Sequence, residues 1–63
     1  MTGAEYRALR ERLGWSQQRL AEALRTYQST IGRRETDVHP IDREAELALR
    51  WLVEHRGRLP GPS

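Results

Sequence analysis

The chain has no cysteine and no lysine. Without thiols there is no disulfide framework and no cysteine-based zinc or redox chemistry. All 11 basic side chains are arginines, planar forks suited to bidentate contacts with phosphate or guanine. No apolar run is long enough to cross a bilayer, and residues 1–15 lack a signal peptide's hydrophobic segment. A soluble cytoplasmic protein without a membrane partner is expected. A glycine-rich phosphate loop is missing, and no Ser–His–Asp arrangement has support. His39 and His55 are far apart, and Glu54 and His55, being adjacent, diverge where i, i+4 metal ligands would converge. No catalytic residue, metal site, cofactor or small-molecule ligand is expected, and the chain does not read as an enzyme.

What is present is short and charged. Sixty-three residues fit one domain near the lower limit of independent folding. The net charge of +2 is unevenly spread: residues 1–35 carry seven arginines against four glutamates, and residues 36–63 four arginines against five acids. From Arg25 to Arg34 there are three arginines and no acid, a local basic stretch of the kind that meets nucleic acid. A solvated face in a highly charged protein accounts for the same charges.

Four helices are expected. The first covers Gly3–Leu13, with Thr2 and Glu5 as a capping box, Gly14 as its left-handed stop, and Tyr6, Leu9 and Leu13 facing inward. Trp15 is expected to cover the open side of the core. The second runs from Gln17 to about Leu24, capped by Ser16 and burying Leu20, Ala21 and Leu24. Arg25 then stands where glycine is favoured; either it is left-handed, or the helix runs on and Thr26 caps the next one. The third starts at Tyr27 or Gln28 and runs to about Glu35, with Ile31 its one clear core residue. The fourth fits Asp42 to about Arg56, with Asp42 as N-cap, Gly57 as stop and Ile41, Ala45, Ala48, Leu49 and Leu52 inward. The expected architecture is all-α, a compact bundle of about four short helices over residues 1–57, with residues 58–63 a flexible tail.

A third helix with so little apolar surface has its outer face free for a partner, and double-stranded DNA fits it. A helix enters the major groove, where residues near its N-terminus reach base edges. Gln28 can donate and accept together, as adenine requires, and Arg33 can fork onto guanine or phosphate. Ser29 suits base or backbone, and Gly32 lets a groove wall approach closely. An ordinary exposed helix start would contain the same residue types.

The runs Leu13-Gly14-Trp15-Ser16-Gln17, Leu20-Ala21-Glu22-Ala23-Leu24, Thr30-Ile31 and Arg33-Arg34-Glu35 resemble the lambda-repressor-like, Cro/XRE-type helix-turn-helix family. The similarity spans about Tyr6 to Leu52. It implies a sequence-specific DNA-binding regulator, most simply a phage- or mobile-element-type repressor on a palindromic operator that can include its own promoter. By resemblance, Gln28, Ser29, Gly32 and Arg33 read bases, while Gln17, Thr30, Arg34, Thr36 and His39 meet phosphates or the sugar backbone. Gln17 would also brace Gln28, and Arg10 would pair with Glu35. The sequence departs from the family at Arg25 (usually glycine), Tyr27 (often a Ser/Thr cap), Arg34 (often aromatic or aliphatic) and Asp37 (often Gly or Asn).

Single helix-turn-helix domains bind as dimers in the well-studied cases, lambda repressor and Cro among them. Leu47, Trp51, Val53 and Leu59 are the apolar residues left after the core is counted, and they are expected to form a homodimer interface. The competing reading is a protein-interaction module, such as an antitoxin or adaptor subunit, built on the same fold.

Overall fold

Thr2 starts the first helix as expected. Its hydroxyl accepts from the Glu5 N–H while the Glu5 carboxylate accepts from the Thr2 N–H, opening α1 (Gly3–Leu13) with a complete capping box. That bond to the Thr2 backbone, joined by the one to its side chain, holds the Glu5 carboxyl below its ordinary range. Gly14, at φ 73°, ends the helix in the left-handed region. Ser16 caps α2 (Gln17–Ala23) by accepting from the Arg19 N–H at 3.0 Å. Tyr27 precedes α3 (Gln28–Glu35) without a side-chain cap bond. Asp42 caps α4 (Arg43–Glu54), accepting from the Ala45 N–H at 2.8 Å. The computed structural model describes residues 1–58, and these four helices with their loops account for it, with no strand among the described residues.

Helix ends are where the structure departs most from the sequence reading. α2 stops at Ala23 and α4 at Glu54, before the expected Leu24 and Arg56. The open question at Arg25 is resolved in favour of the left-handed residue, at φ 56°. The Thr26 N–H reaches back to the Ala21 carbonyl at 2.8 Å and the Arg25 N–H to Glu22 at 3.2 Å, the paired bonds of a Schellman motif. α3 and α4 close in the same way, with Val38 N–H on Arg33 O at 2.9 Å and Gly57 N–H on Leu52 O at 2.7 Å. Their left-handed residues are Asp37 and Arg56.

Arginine in this conformation carries a steric cost that glycine avoids. Arg25→Gly is therefore expected to stabilise the fold by about 1 kcal/mol, raising the thermal midpoint on the order of 4–8 °C in circular dichroism melts. An unchanged or lowered midpoint would show that the Arg25 side chain contributes contacts worth more than the strain.

The core is Tyr6, Leu20, Ala21, Ile31, Leu49 and Leu52. Leu9, Leu13, Trp15, Leu24, Ile41, Trp51 and Val53 pack around it, partly buried. Ile41 and Ala48, expected inside, are only half-buried. α1 is central, packing on α3 and on α4, while α2 packs on α3. Trp15 covers the open side as expected, lying so close over Gly57 that a Cβ there would fall 2.8 Å from its ring. No helix among the described residues is long and apolar enough to cross a membrane.

Candidate nucleic-acid interface

α3 is presented by three polar anchors at its C-terminal end. The Arg10 Nε donates to Glu35 Oε2 at 2.6 Å and its Nη2 to Oε1 at 3.2 Å, a fork-on-carboxylate pair. Arg10 Nη1 also donates to the Trp15 carbonyl at 2.7 Å. The side chains are 13% and 4% exposed, so the charges are largely removed from water. The Glu35 hydrogen bond pushes the Arg10 guanidinium above its already high value, outweighing burial.

The Gln17 amide completes the cluster by donating to Glu35 Oε1 at 3.1 Å. The expected brace from Gln17 to Gln28 is thus replaced by one from Gln17 to Glu35. The Glu35 carboxylate, already bonded to Arg10, has a lone pair to spare for the Gln17 amide. One salt bridge therefore ties together α1, the start of α2 and the end of α3.

With this face fixed inward, the rest of α3 points out. Gln28, Ser29 and Arg33 are exposed and Gly32 is half-buried. At about 100° per residue these four occupy one continuous arc. Nothing in the fold demands glycine at 32, since an added Cβ would meet only the Gln17 amide at 3.8 Å or more. Thr30 falls at the half-buried margin and His39 in the exposed loop after α3.

Two residues expected at the DNA backbone make bonds within the protein. Arg34 turns inward, its Nη1 donating to the Tyr6 hydroxyl oxygen at 3.2 Å and its guanidinium 5.9 Å from the Tyr6 ring centre. It follows Ile31 by three residues and so shares the buried side of the helix. Burial raises the Tyr6 hydroxyl above its ordinary pKa, with the Arg34 bond opposing it. Thr36 turns its hydroxyl back onto α3, against the carbonyls of Gly32 at 3.1 Å and Arg33 at 3.3 Å.

Sequence reasoning missed Tyr27. It is 79% exposed at the mouth of α3, beside Gln28, with no side-chain hydrogen bond or aromatic partner among the described residues. Its missing capping chemistry was the signal available. Arg19, exposed at the start of α2, lies 4.9 Å over the Trp15 ring.

The expected interface residues do not form one patch. Leu47 is 51% exposed and Trp51 half-buried, stacked on the His55 ring with centroids 3.9 Å apart. Val53 is two residues beyond Trp51, about 200° around the helix, and faces Leu13 across a cleft with Arg12 and Arg56. It is therefore separated from Leu47 and Trp51. Leu59 and most of the expected tail, residues 59–63, lie outside the described residues.

A short left-handed turn joins α2 to an α3 whose inner side is buried or clamped and whose outer side is polar, which defines a helix-turn-helix unit. A helix-turn-helix family profile matches residues 7–45, from the first turns of α1 into the start of α4. The chain belongs to this helix-turn-helix family and is a DNA-binding regulator of the Cro/XRE kind. The family is one of regulatory domains, not of enzymes. Neither the curated proteins nor the solved structures contain a significant match.

Proposed function

We propose that α3 is inserted in the major groove of a specific operator, with Gln28, Ser29 and Arg33 on base edges and Gly32 where the groove wall comes closest. The observation that carries this reading is the division of α3 into two sides. Ile31, Arg34 and Glu35 are turned to the protein, while a continuous arc of amide, hydroxyl and guanidinium groups faces outward. Gln17, Thr30 and His39 flank that arc and meet the phosphate backbone; Arg34 and Thr36 do not take part. The protein acts as a homodimer on a palindromic site, with the exposed Leu47 and the neighbouring Trp51 at the subunit contact, and it represses by excluding polymerase. One recognition helix reads too few base pairs to give useful specificity alone, which is why two copies are needed.

Selecting bound duplexes from a random pool and sequencing them tests the whole reading. An enriched inverted repeat with half-sites about one helical turn apart is expected. A single unrepeated motif would remove the dimer, and no enrichment would remove sequence-specific binding. On the selected duplex, Gln28→Ala is expected to cost about 1–3 kcal/mol and to relax preference at one base step. Equal loss on selected and random duplexes in titrations at fixed salt would show that Gln28 does not read sequence.

A further inference from the structure

The side of α1 turned away from α3 forms a groove with α4, apart from the outward arc of α3. Arg12 follows Arg10 by two residues, about 200° around the helix, so the Arg10 side holds α3 while the Arg12 side looks onto α4. Two adjoining depressions run along this groove, of about 390 and 200 Å³, and Arg12 borders both. Among the described residues their apolar lining is Met1, Ala8, Leu9, Leu13 and Val53; all but the exposed Ala8 are packed on the core yet only partly buried. Glu5, which lines the smaller depression beside Arg50, is held in the Thr2 cap, while Glu11 pairs with Arg7 at 3.5 Å and Glu46 with Arg50 at 2.9 Å. Arg12 and Arg56 are exposed, and neither makes an ion pair among the described residues.

From this charge pattern we infer that the α1–α4 groove is a docking surface for an acidic, amphipathic segment of another protein. Its apolar side chains enter over Leu13 and Val53, and its carboxylates meet the free guanidinium groups of Arg12 and Arg56. A guanidinium–carboxylate fork at the rim of a small apolar floor gives orientation as well as attraction. A second copy of this chain is the poorer fit, because each copy would bring the same two unpaired arginines against those of the other. Since the groove lies on the far side of α1 from α3, the docked segment and an operator can be bound together, so the domain would carry a partner to DNA.

The test is to pan a displayed random-peptide library against the folded full chain and to map the most enriched peptide by amide chemical shifts. Acidic peptides with apolar residues at helical spacing are expected, with shifts centred on Leu9, Arg12, Leu13, Val53 and Arg56. Arg12→Glu and Arg56→Glu are expected to weaken that peptide at least tenfold while leaving melting and duplex affinity unchanged; Arg12→Gln, which only removes charge, is expected to have a smaller effect. Four results would overturn the inference: no enrichment, enrichment of peptides lacking acids, shifts confined to α3, or full peptide affinity in the charge-reversed variants. Loss of duplex affinity in Arg12→Glu would assign that arginine to phosphate instead. Concentration-dependent shifts at the groove without peptide would make it a self-association face.

Discussion

Replacing Glu35 by alanine or glutamine is expected to remove about 3–5 kcal/mol of stability, because the Arg10 charge stays in place with its carboxylate partner gone. Arg10 is only 13% exposed, so water cannot restore what the carboxylate supplied; in the alanine variant the Trp15 carbonyl is the one acceptor left to it among the described residues, and in the glutamine variant a neutral amide oxygen replaces the carboxylate. In the alanine variant the Gln17 amide loses its partner as well. A domain of 63 residues has a total stability of about 3–9 kcal/mol, so either single variant is expected to be largely unfolded at physiological temperature. Urea titration followed by circular dichroism measures the loss, and a decrease below about 1 kcal/mol would show that the pair is solvated and of little weight. The double replacement Arg10→Met with Glu35→Leu separates desolvation from attraction. Removing both charges is expected to cost far less than either single change, since a buried pair and an apolar pair of similar volume are close in energy. Operator binding in this double variant is a separate readout. If the salt bridge aims α3 and does not merely hold it, affinity falls although stability returns.

That the most influential pair in the domain is ionic explains how α3 can present so polar a surface. Only Ile31 of its eight residues is buried, and a short helix with one apolar anchor would be free to pivot. The Arg10–Glu35 fork holds its last residue, the Tyr6–Arg34 contact a neighbouring position, and the Schellman closure at Asp37 the chain leaving it. The outward arc can therefore consist entirely of groups chosen for a partner.

How far the sequence revealed all this follows the range of the forces involved. The start and end of α1 were readable from Thr2, Glu5 and Gly14 because capping is settled within four residues. The break after α2 was not, because three of the four helices take a non-glycine residue into the left-handed region and packing overrides the local preference. Arg34 shows a second kind of limit, in that its contact with Tyr6 was not foreseen. Its charge suggested phosphate, but its spacing from Ile31 already placed it on the inner side, and that periodicity was the better guide. Val53 was grouped with Leu47 and Trp51 as an apolar residue left over from the core, although two residues along a helix set it about 200° from Trp51. Gln17 resembles a family position that braces the next helix at its start, yet in this chain its amide donates to Glu35 at the end of that helix. The outward set at Gln28, Ser29 and Arg33 was legible because it is what remains once the inner face is assigned.

Gly3 is the position whose importance no local reading could supply, and Gly3→Ala is expected to produce the second large effect. In an isolated helix the change would help, since alanine is favoured over glycine by about 1 kcal/mol. In this fold Gly3 is buried against the end of α3. A Cβ would stand 2.6 Å from the Arg34 carbonyl oxygen and nearer still to that of Glu35. Those are backbone atoms and cannot rotate aside, so α1 and α3 must separate. Separation would also stretch the bond in which the Gly3 N–H donates to Asp37 Oδ1 at 2.8 Å, and would part the positive start of α1 from the carbonyls ending α3. Overpacking of this kind costs about 1–3 kcal/mol even where side chains can adjust, and the rigid contact places Gly3→Ala at the upper end. The net loss is expected to be at least about 2 kcal/mol, lowering the thermal midpoint by on the order of 10 °C. Ala4→Gly, one residue along at an exposed site, is the control, and is expected to lose only the helix preference of about 1 kcal/mol. Because the strain is applied at the end of α3, the folded fraction of Gly3→Ala is expected to bind the selected operator more weakly, while Ala4→Gly binds it normally. A melting midpoint for Gly3→Ala equal to or above that of the parent would show that the two helix ends have room to give, and that the close approach is not what sets the angle of the recognition helix.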